Sequence, residues 1–333
     1  MGRQAKTSMT DSIRNSEFGI RNETFSRRTR PSRVTCHVSF VTVLLVSSVG
    51  CSDAYNGERL FWKAQQLSIP IAKDLKGTSP EQIEKAKAAY QLVIKRAPGT
   101  AWAARSQVAI GSLYGVQEQY DKARASYALV LQNYSRFGEQ CLGARYAIGK
   151  SYEVQKDYDA AVKAFYELAD FHTWTRLGLE APLYVARLYA QVLQKPEEAT
   201  KAYERATRIY IRLIPEAPTP EMKSHVRGYL AVAYQQLGQW DKAVALLEEL
   251  STQEVGGLNR PLLLLTLGTI YQTKVGNAEK AQEIYHKLIE TFPDSQLSKL
   301  AKTQLERMDA PESAPGAAAI PEPAFLAPST ETP

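Results

Sequence analysis

The stretch GKSYEVQKDYDAAVKAF, residues 149–165, decides how the chain folds. Gly149 and Tyr152 stand three apart, Ala161 and Phe165 four apart, so on α-helices each pair lies on one face. Asp157-Tyr158-Asp159 between them reads as a turn. The stretch therefore predicts a helix, a tight turn and a second helix. The small residues let the two helices approach closely, and the aromatic is expected to fill the space between one pair and the next.

The same pattern recurs in both directions. The second-helix signature appears as Ala86/Tyr90, Ala123/Tyr127, Ala161/Phe165, Ala199/Tyr203, Ala243/Leu247 and Ala281/Tyr285. Its second members are spaced by 37, 38, 38, 44 and 38 residues. The first-helix signature appears as Gly111/Tyr114, Gly149/Tyr152, Ala186/Tyr189, Ala231/Tyr234 and Gly268/Tyr271. Asp121, Asp159 and Asp241, in the turns 119–123, 157–161 and 239–243, are expected to cap the second helices. Pro98 and Pro293 stop helices that precede them. A fixed period of this kind marks a stacked array, because one helix pair cannot bury its apolar face alone.

This pattern resembles the tetratricopeptide repeat (TPR) family over residues 56–308. The resemblance implies an all-α helix-turn-helix solenoid of about six repeats. Its core positions are Ala86, Tyr90, Gly111, Tyr114, Ala123, Tyr127, Gly149, Tyr152, Ala161, Phe165, Tyr189, Tyr203, Tyr234, Ala243, Leu247, Gly268, Tyr271, Ala281 and Tyr285. The first unit is degenerate in its first helix, and the fourth and sixth each carry one extra residue before the second-helix alanine. The family's repeat is about 34 residues; longer connections between units are expected to supply the excess here, with IPEAPTPE at 214–221 accounting for the spacing of 44. The resemblance also implies that first helices line a concave wall. Counted from each small residue, that wall includes Arg105, Ser112, Tyr146, Lys150, Glu153, Arg187, His225, Gln235 and Gln272. Such a mixture suits an extended peptide segment of a protein partner, with acidic groups or a terminal carboxylate.

Composition excludes several other classes. Residues 1–50 hold eight Lys/Arg against three Asp/Glu, whereas the remaining chain holds 33 against 32. The body is near neutral and gives no electrostatic reason to expect nucleic acid. Cys36, Cys51 and Cys141 are too far apart for a disulfide framework or a zinc site, and the four histidines have no metal-ligand spacing. There is no GxxxxGK[ST] loop, dinucleotide fingerprint or GxSxG elbow. Cys141 reads as a structural thiol. No catalytic residue, metal, cofactor or small-molecule substrate is expected, and the protein reads as a non-enzyme.

The ends read differently from the middle. Residues 1–33 form a basic extension, and VTCHVSFVTVLLVSSVGC at 34–51 reads as an export signal ending in a lipobox, with Cys51 the lipidated residue. An uncleaved membrane anchor and a plain secretory peptide are the other readings of these residues. Residues 309–333 are Pro/Ala-rich and read as a disordered tail, in which Phe325-Leu326 is an apolar spot. The strings KRAPGTAWAARSQVAIGSLY at 95–114 and ETFPDSQLSKLAKTQL at 290–305 resemble envelope TPR proteins, among them the lipoprotein of the outer-membrane barrel-assembly machine and the TPR partner of Tol-Pal. The expectation is an exported, membrane-anchored scaffold facing the periplasm. Its alternatives are a permanent subunit of an outer-membrane assembly complex and a regulator of a cell-wall enzyme.

Overall fold

The structure is a computed structural model that describes residues 41–75, 77–253 and 258–309, with side chains from residue 54. The basic extension, leader residues 34–40, Gly256-Gly257 and the tail from residue 310, with Phe325-Leu326, lie outside the described residues. The described residues form thirteen helices and no strand: α1 Val41–Lys73, α2 Pro80–Arg96, α3 Ala101–Val116, α4 Tyr120–Asn133, α5 Gly138–Val154, α6 Tyr158–Phe171, α7 Arg176–Arg187, α8 Pro196–Glu216, α9 Pro220–Gln236, α10 Trp240–Thr252, α11 Arg260–Ile270, α12 Ala278–Thr291 and α13 Gln296–Asp309. They make six helix pairs, each a first helix and a second helix, followed by the single helix α13. The chain divides into two compact units, residues 1–168 and 169–333.

In the first unit, α1, α2 and α3 enclose one core around Phe61, Ala64, Ile83, Ala86, Tyr90, Val93 and Ile110. A second core joins α3, α4 and α5 around Ala103, Ala123, Tyr127, Val130, Cys141 and Ala144. Burial pushes the Cys141 thiol up, which keeps it protonated and unreactive. In the second unit the largest buried side chains include Tyr210, Leu183, Leu247, Leu250, Leu263, Ile270, Tyr285 and Leu288.

In three of the six pairs the close approach is set by a glycine, and in the fourth and fifth Ala186 and Ala231 hold the position. A Cβ on Gly149 would come within 2.9 Å of the Phe165 ring, and one on Gly268 within 2.5 Å of Tyr285. Gly111 lies equally tight against Tyr127. The second-helix aromatic therefore packs into its own pair, and Tyr90 and Tyr127 also belong to cores shared with the first helix of the next pair, as the periodicity suggested. The missing side chain makes the slot that the ring occupies.

The five turns from first to second helix in the second to sixth pairs share one device. The residue before each second-helix N-cap has positive φ: Glu118, Lys156, Gln194, Gly238 and Gly276. The N-cap amide then donates back to the carbonyl of the signature tyrosine. These bonds are Gln119 to Tyr114, Asp157 to Tyr152, Lys195 to Tyr189, Gln239 to Tyr234 and Asn277 to Tyr271, all between 2.9 and 3.0 Å. In the fourth and sixth units the bond spans six residues, not five. The extra residue is absorbed in π-helical turns at Leu188–Val192 and Tyr271–Val275. The insertion widens one turn of helix and leaves the hairpin closure unchanged.

Two sequence expectations are corrected here. Asp121 and Asp241 are not N-caps; Gln119 and Gln239 are, and neither makes a side-chain cap bond. Asp121 and Asp241 lie in the first turn, as does Asp159, where a negative charge meets the positive end of the helix dipole. True side-chain caps come one step earlier, from Asp157 to the Ala160 amide at 3.2 Å and from Asn277 to the Lys280 amide at 3.0 Å. The second correction concerns the spacing of 44. The α8 helix runs 21 residues against 14 for α4, α6 and α12. The additional residues lengthen a helix, with Pro215 in its last turn, and only 217–219 connect it to α9.

The half-buried tyrosines at the ends of first helices are held by cations. Lys87 Nζ sits 4.1 Å from the Tyr114 ring centre and donates to Gln117 Oε1 at 3.1 Å, with Glu84 beside it at 2.6 Å. One repeat on, the Arg124 guanidinium sits 4.1 Å from the Tyr152 ring and donates to Gln155, with Asp121 beside it. Acid, base, tyrosine and glutamine recur in the same order, and each set joins one repeat to the next. Lys242 lies 5.4 Å from the Tyr234 ring. Tyr114, Tyr152, Tyr189 and Tyr234, expected in the core, are thus only half-buried, whereas Tyr271 is buried.

Three expected outcomes follow from this packing. Phe165→Ala leaves a cavity inside its pair and lowers unfolding free energy by about 3–5 kcal/mol. Gly149→Ala drives a methyl into the same ring and costs about 1–3 kcal/mol. Lys156→Gly removes a left-handed non-glycine residue and raises stability by roughly 1 kcal/mol. Urea titrations of the three variants read all of these, and an unchanged midpoint in the first two contradicts the packing.

Candidate partner-binding surface

Six of the nine residues expected on the inner wall fall into two groups. The first group serves the phenols of the core. Tyr127 reaches Ser112 with O···O 3.3 Å. The Tyr285 hydroxyl donates to Gln272 Oε1 at 2.9 Å and lies 3.3 Å from Thr269 Oγ1. In the first pair Tyr90 reaches Ser68 with O···O 2.8 Å. A buried hydroxyl needs a partner, and the position one or four residues after the small residue of the first helix supplies it. Where the second helix carries Phe165 or Leu247, which have no hydroxyl, the position one residue on holds Lys150 or Val232 instead. Ser112 and Gln272 therefore have a structural partner, and Ser112 is buried.

The second group is charged. In the first unit Arg105 Nη2 meets Glu139 Oε2 at 3.3 Å, and its guanidinium lies 5.1 Å from the Trp102 ring centre. Lys150 Nζ meets Glu153 Oε2 at 2.9 Å with both side chains well covered, at 7% and 16% exposure. Tyr146 packs edge-on against Phe165 at 6.2 Å. Lys150 was expected to be open on the wall; its ammonium is instead buried and paired.

In the second unit Arg187 Nη2 meets Glu180 Oε1 at 3.2 Å, one residue about 29% exposed and the other 33%. Beside this pair Tyr229 stacks on Tyr210 with centroids 5.8 Å apart, and the Tyr210 hydroxyl donates to the Leu179 carbonyl at 2.6 Å. Burial first and the Glu180 charge second push the Tyr229 phenol well above its usual range, so it stays a neutral donor. His225 Nδ1 lies 2.8 Å from the Glu221 carbonyl. Gln235, expected to be open, is buried, and its Nε2 has no hydrogen-bond partner among the described residues. Glu180 and Tyr229 were not among the expected wall residues. Glu180 stands six residues before Ala186, so the same position rule reaches it.

No group of His, Cys, Asp or Glu among the described residues could hold a metal ion. The Cys51 backbone lies within α1, and its side chain lies outside the described residues.

The comparisons agree with the hairpin geometry. Family models of the tetratricopeptide repeat match residues 144–172, 230–260 and 263–295, so the chain carries repeats of this kind. Among solved structures, YrrB, a TPR protein with an unusual peptide-binding site, is 20% identical, covering 65% of this chain and 99% of its own at a TM-score of 0.36. BtubC (BKLC) from P. vanneervenii is 15% identical, with coverages of 81% and 96% and a TM-score of 0.38. PilF of Pseudomonas aeruginosa is 15% identical, with coverages of 75% and 99% and a TM-score of 0.35. No curated protein matches the sequence.

A double-mutant cycle tests whether Gln272 serves the fold. Gln272→Leu costs about 0.5–1.5 kcal/mol through the lost Tyr285 bond. In a Tyr285→Phe background the same change costs clearly less. Equal costs in both backgrounds would return Gln272 to the partner-binding set.

Proposed function

We propose that this protein is a non-enzymatic interaction scaffold of the bacterial cell envelope, tethered to a membrane through Cys51, which binds an extended peptide segment of a protein partner along its first helices. The observation that carries the binding part is the state of the Glu180–Arg187 pair. Both side chains stay partly exposed, and Arg187 spends one contact on Glu180. A guanidinium has five N–H donors, so it can take a carboxylate or backbone carbonyl of an incoming chain without giving up its first partner. Arg105, also partly exposed, offers the same chemistry in the first unit. The tether rests on the apolar run and the Val49-Gly50-Cys51 sequence.

Two measurements test the parts separately. A photo-crosslinker installed at His225, in the same unit as Arg187, is expected to capture a partner that Arg187→Gln loses, with the thermal melt of the variant checked alongside. Capture that ignores the substitution would remove Arg187 from the site. Fatty-acid labelling of cells is expected to mark the wild type and not Cys51→Ser, and label in neither would remove the lipid tether.

A further inference from the structure

The first helix carries a surface that the repeat core does not use. Tyr55, Arg59, Trp62 and Gln66 recur at intervals of four and three residues, so they form one narrow strip along α1. All four are exposed, Tyr55 at 68% and Trp62 at 43%. At 1.5 Å per residue the strip is about 16 Å long. Lys63 borders it on one side and Glu58 on the other, both exposed. The opposite face holds Phe61, Ala64, Ser68 and Ile71 and is buried against α2 and α3. Neither Arg59 nor Lys63 has an ion-pair partner among the described residues.

The terminal helix of a repeat array normally turns a polar face outward. Here that face carries a tyrosine, a tryptophan and a flanking pair of cations. These are the side chains that settle at a bilayer surface: aromatic rings at headgroup level, long cationic stems reaching the phosphates. The position of the strip along the chain selects this occupant. The α1 helix runs back without a break to Cys51, the residue proposed to carry the lipid. Tyr55 lies one helical turn, about 6 Å, beyond Cys51. Among the described residues no helix is long and apolar enough to cross a membrane, so the face available to lipid is a lateral one.

We infer that the Tyr55–Gln66 strip of α1 lies against the headgroup layer of a bilayer containing anionic lipid. The inference rests on the membrane tether proposed above. It adds that the first unit is held by a surface as well as by an anchor. An array on a lipid anchor alone would swivel freely; an array whose first helix lies on the membrane has one side turned to lipid and the others turned away. The partner-binding side chains of the first unit are then presented in one orientation, not sampled at random.

The test uses the full chain with vesicles of phosphatidylcholine and phosphatidylglycerol at 3:1, in which part of the phosphatidylcholine carries bromine on its acyl chains. Bromine quenches only tryptophans that reach the bilayer. The chain has four tryptophans, and the expected result is a partial loss of emission that disappears in Trp62→Phe. That variant changes an exposed residue and should fold normally, and near-ultraviolet circular dichroism checks this. Vesicle-bound protein with no quenching, or with equal quenching in Trp62→Phe, would overturn the inference and leave the tether standing. Trp62 shielded from both brominated lipid and aqueous acrylamide would mean that another segment of the chain covers the strip, and would also overturn it. Protein that fails to float with the vesicles would overturn tether and strip together.

Discussion

Three of the six helix pairs depend on a side chain that is missing. Gly111, Gly149 and Gly268 leave a slot on the first helix, and Tyr127, Phe165 and Tyr285 of the second helix fill it. The contact fixes the separation and rotation of the pair at once, because a ring inserted beside a bare Cα has little lateral freedom. The turn must then close over a set distance. That is why all five turns carry a positive-φ residue at one position and return one amide to the signature tyrosine carbonyl, whether the intervening helix is regular or π-widened. The geometry of the slot outranks the local preference of the turn residue. Glu118, Lys156 and Gln194 occupy a conformation that glycine takes at lower cost.

A tyrosine in that slot brings a hydroxyl into the core, and the hydroxyl must be met. Ser68, Ser112, Thr269 and Gln272 meet it from the first helix. This explains a polarity that otherwise resembles a binding groove. A serine beside the groove is expected where the second helix has Tyr and has no such duty where it has Phe or Leu. Lys150 and Val232 hold that position in the two units without the hydroxyl. Part of the wall's polar character is thus an internal requirement of the core, and burial distinguishes it from surface that a partner can reach.

The repeat period, the helix pairing and the second-helix core were legible because they rest on small and aromatic residues at fixed helical spacings. The extra residues before Ala199 and Ala281 were legible as insertions, but their form was not. A single residue can enter a loop or widen a helix, and only the hairpin closure decides between them. The spacing of 44 was misread for a related reason. Proline at 215, 218 and 220 suggested a connection, yet Pro215 stands in the last turn of α8, and the helix runs through it although proline has no amide to donate to the carbonyl four residues back. The turn aspartates were misassigned because the N-cap lies two residues earlier than the conspicuous Asp of QYDKA and QWDKA. There Gln119 and Gln239 are held by backbone closure and not by their side chains.

The first-helix tyrosines show that one sequence signature can hold two physical jobs. Tyr271 is buried and donates to Glu248 at 2.6 Å; burial and that bond push its phenol up to about 12. Tyr114 and Tyr152 stay half-buried, with a cation on the ring face and the phenol edge toward water. A flat ring with a negative face can accept Lys87 or Arg124 from the preceding repeat, which an aliphatic residue of the same size could not do. The charges gathered there are consumed: Glu84, Lys87, Asp121, Arg124, Gln117 and Gln155 all bond among themselves. Recognition has to come from charges that stacking leaves open. In the first unit that is the Arg105–Glu139 pair, with Arg105 more than a third exposed, and in the second it is Glu180–Arg187. Arg105 stands nine residues before the closing tyrosine Tyr114, whereas Arg187 stands only two before Tyr189; neither side-chain pair includes a residue of the closing bond.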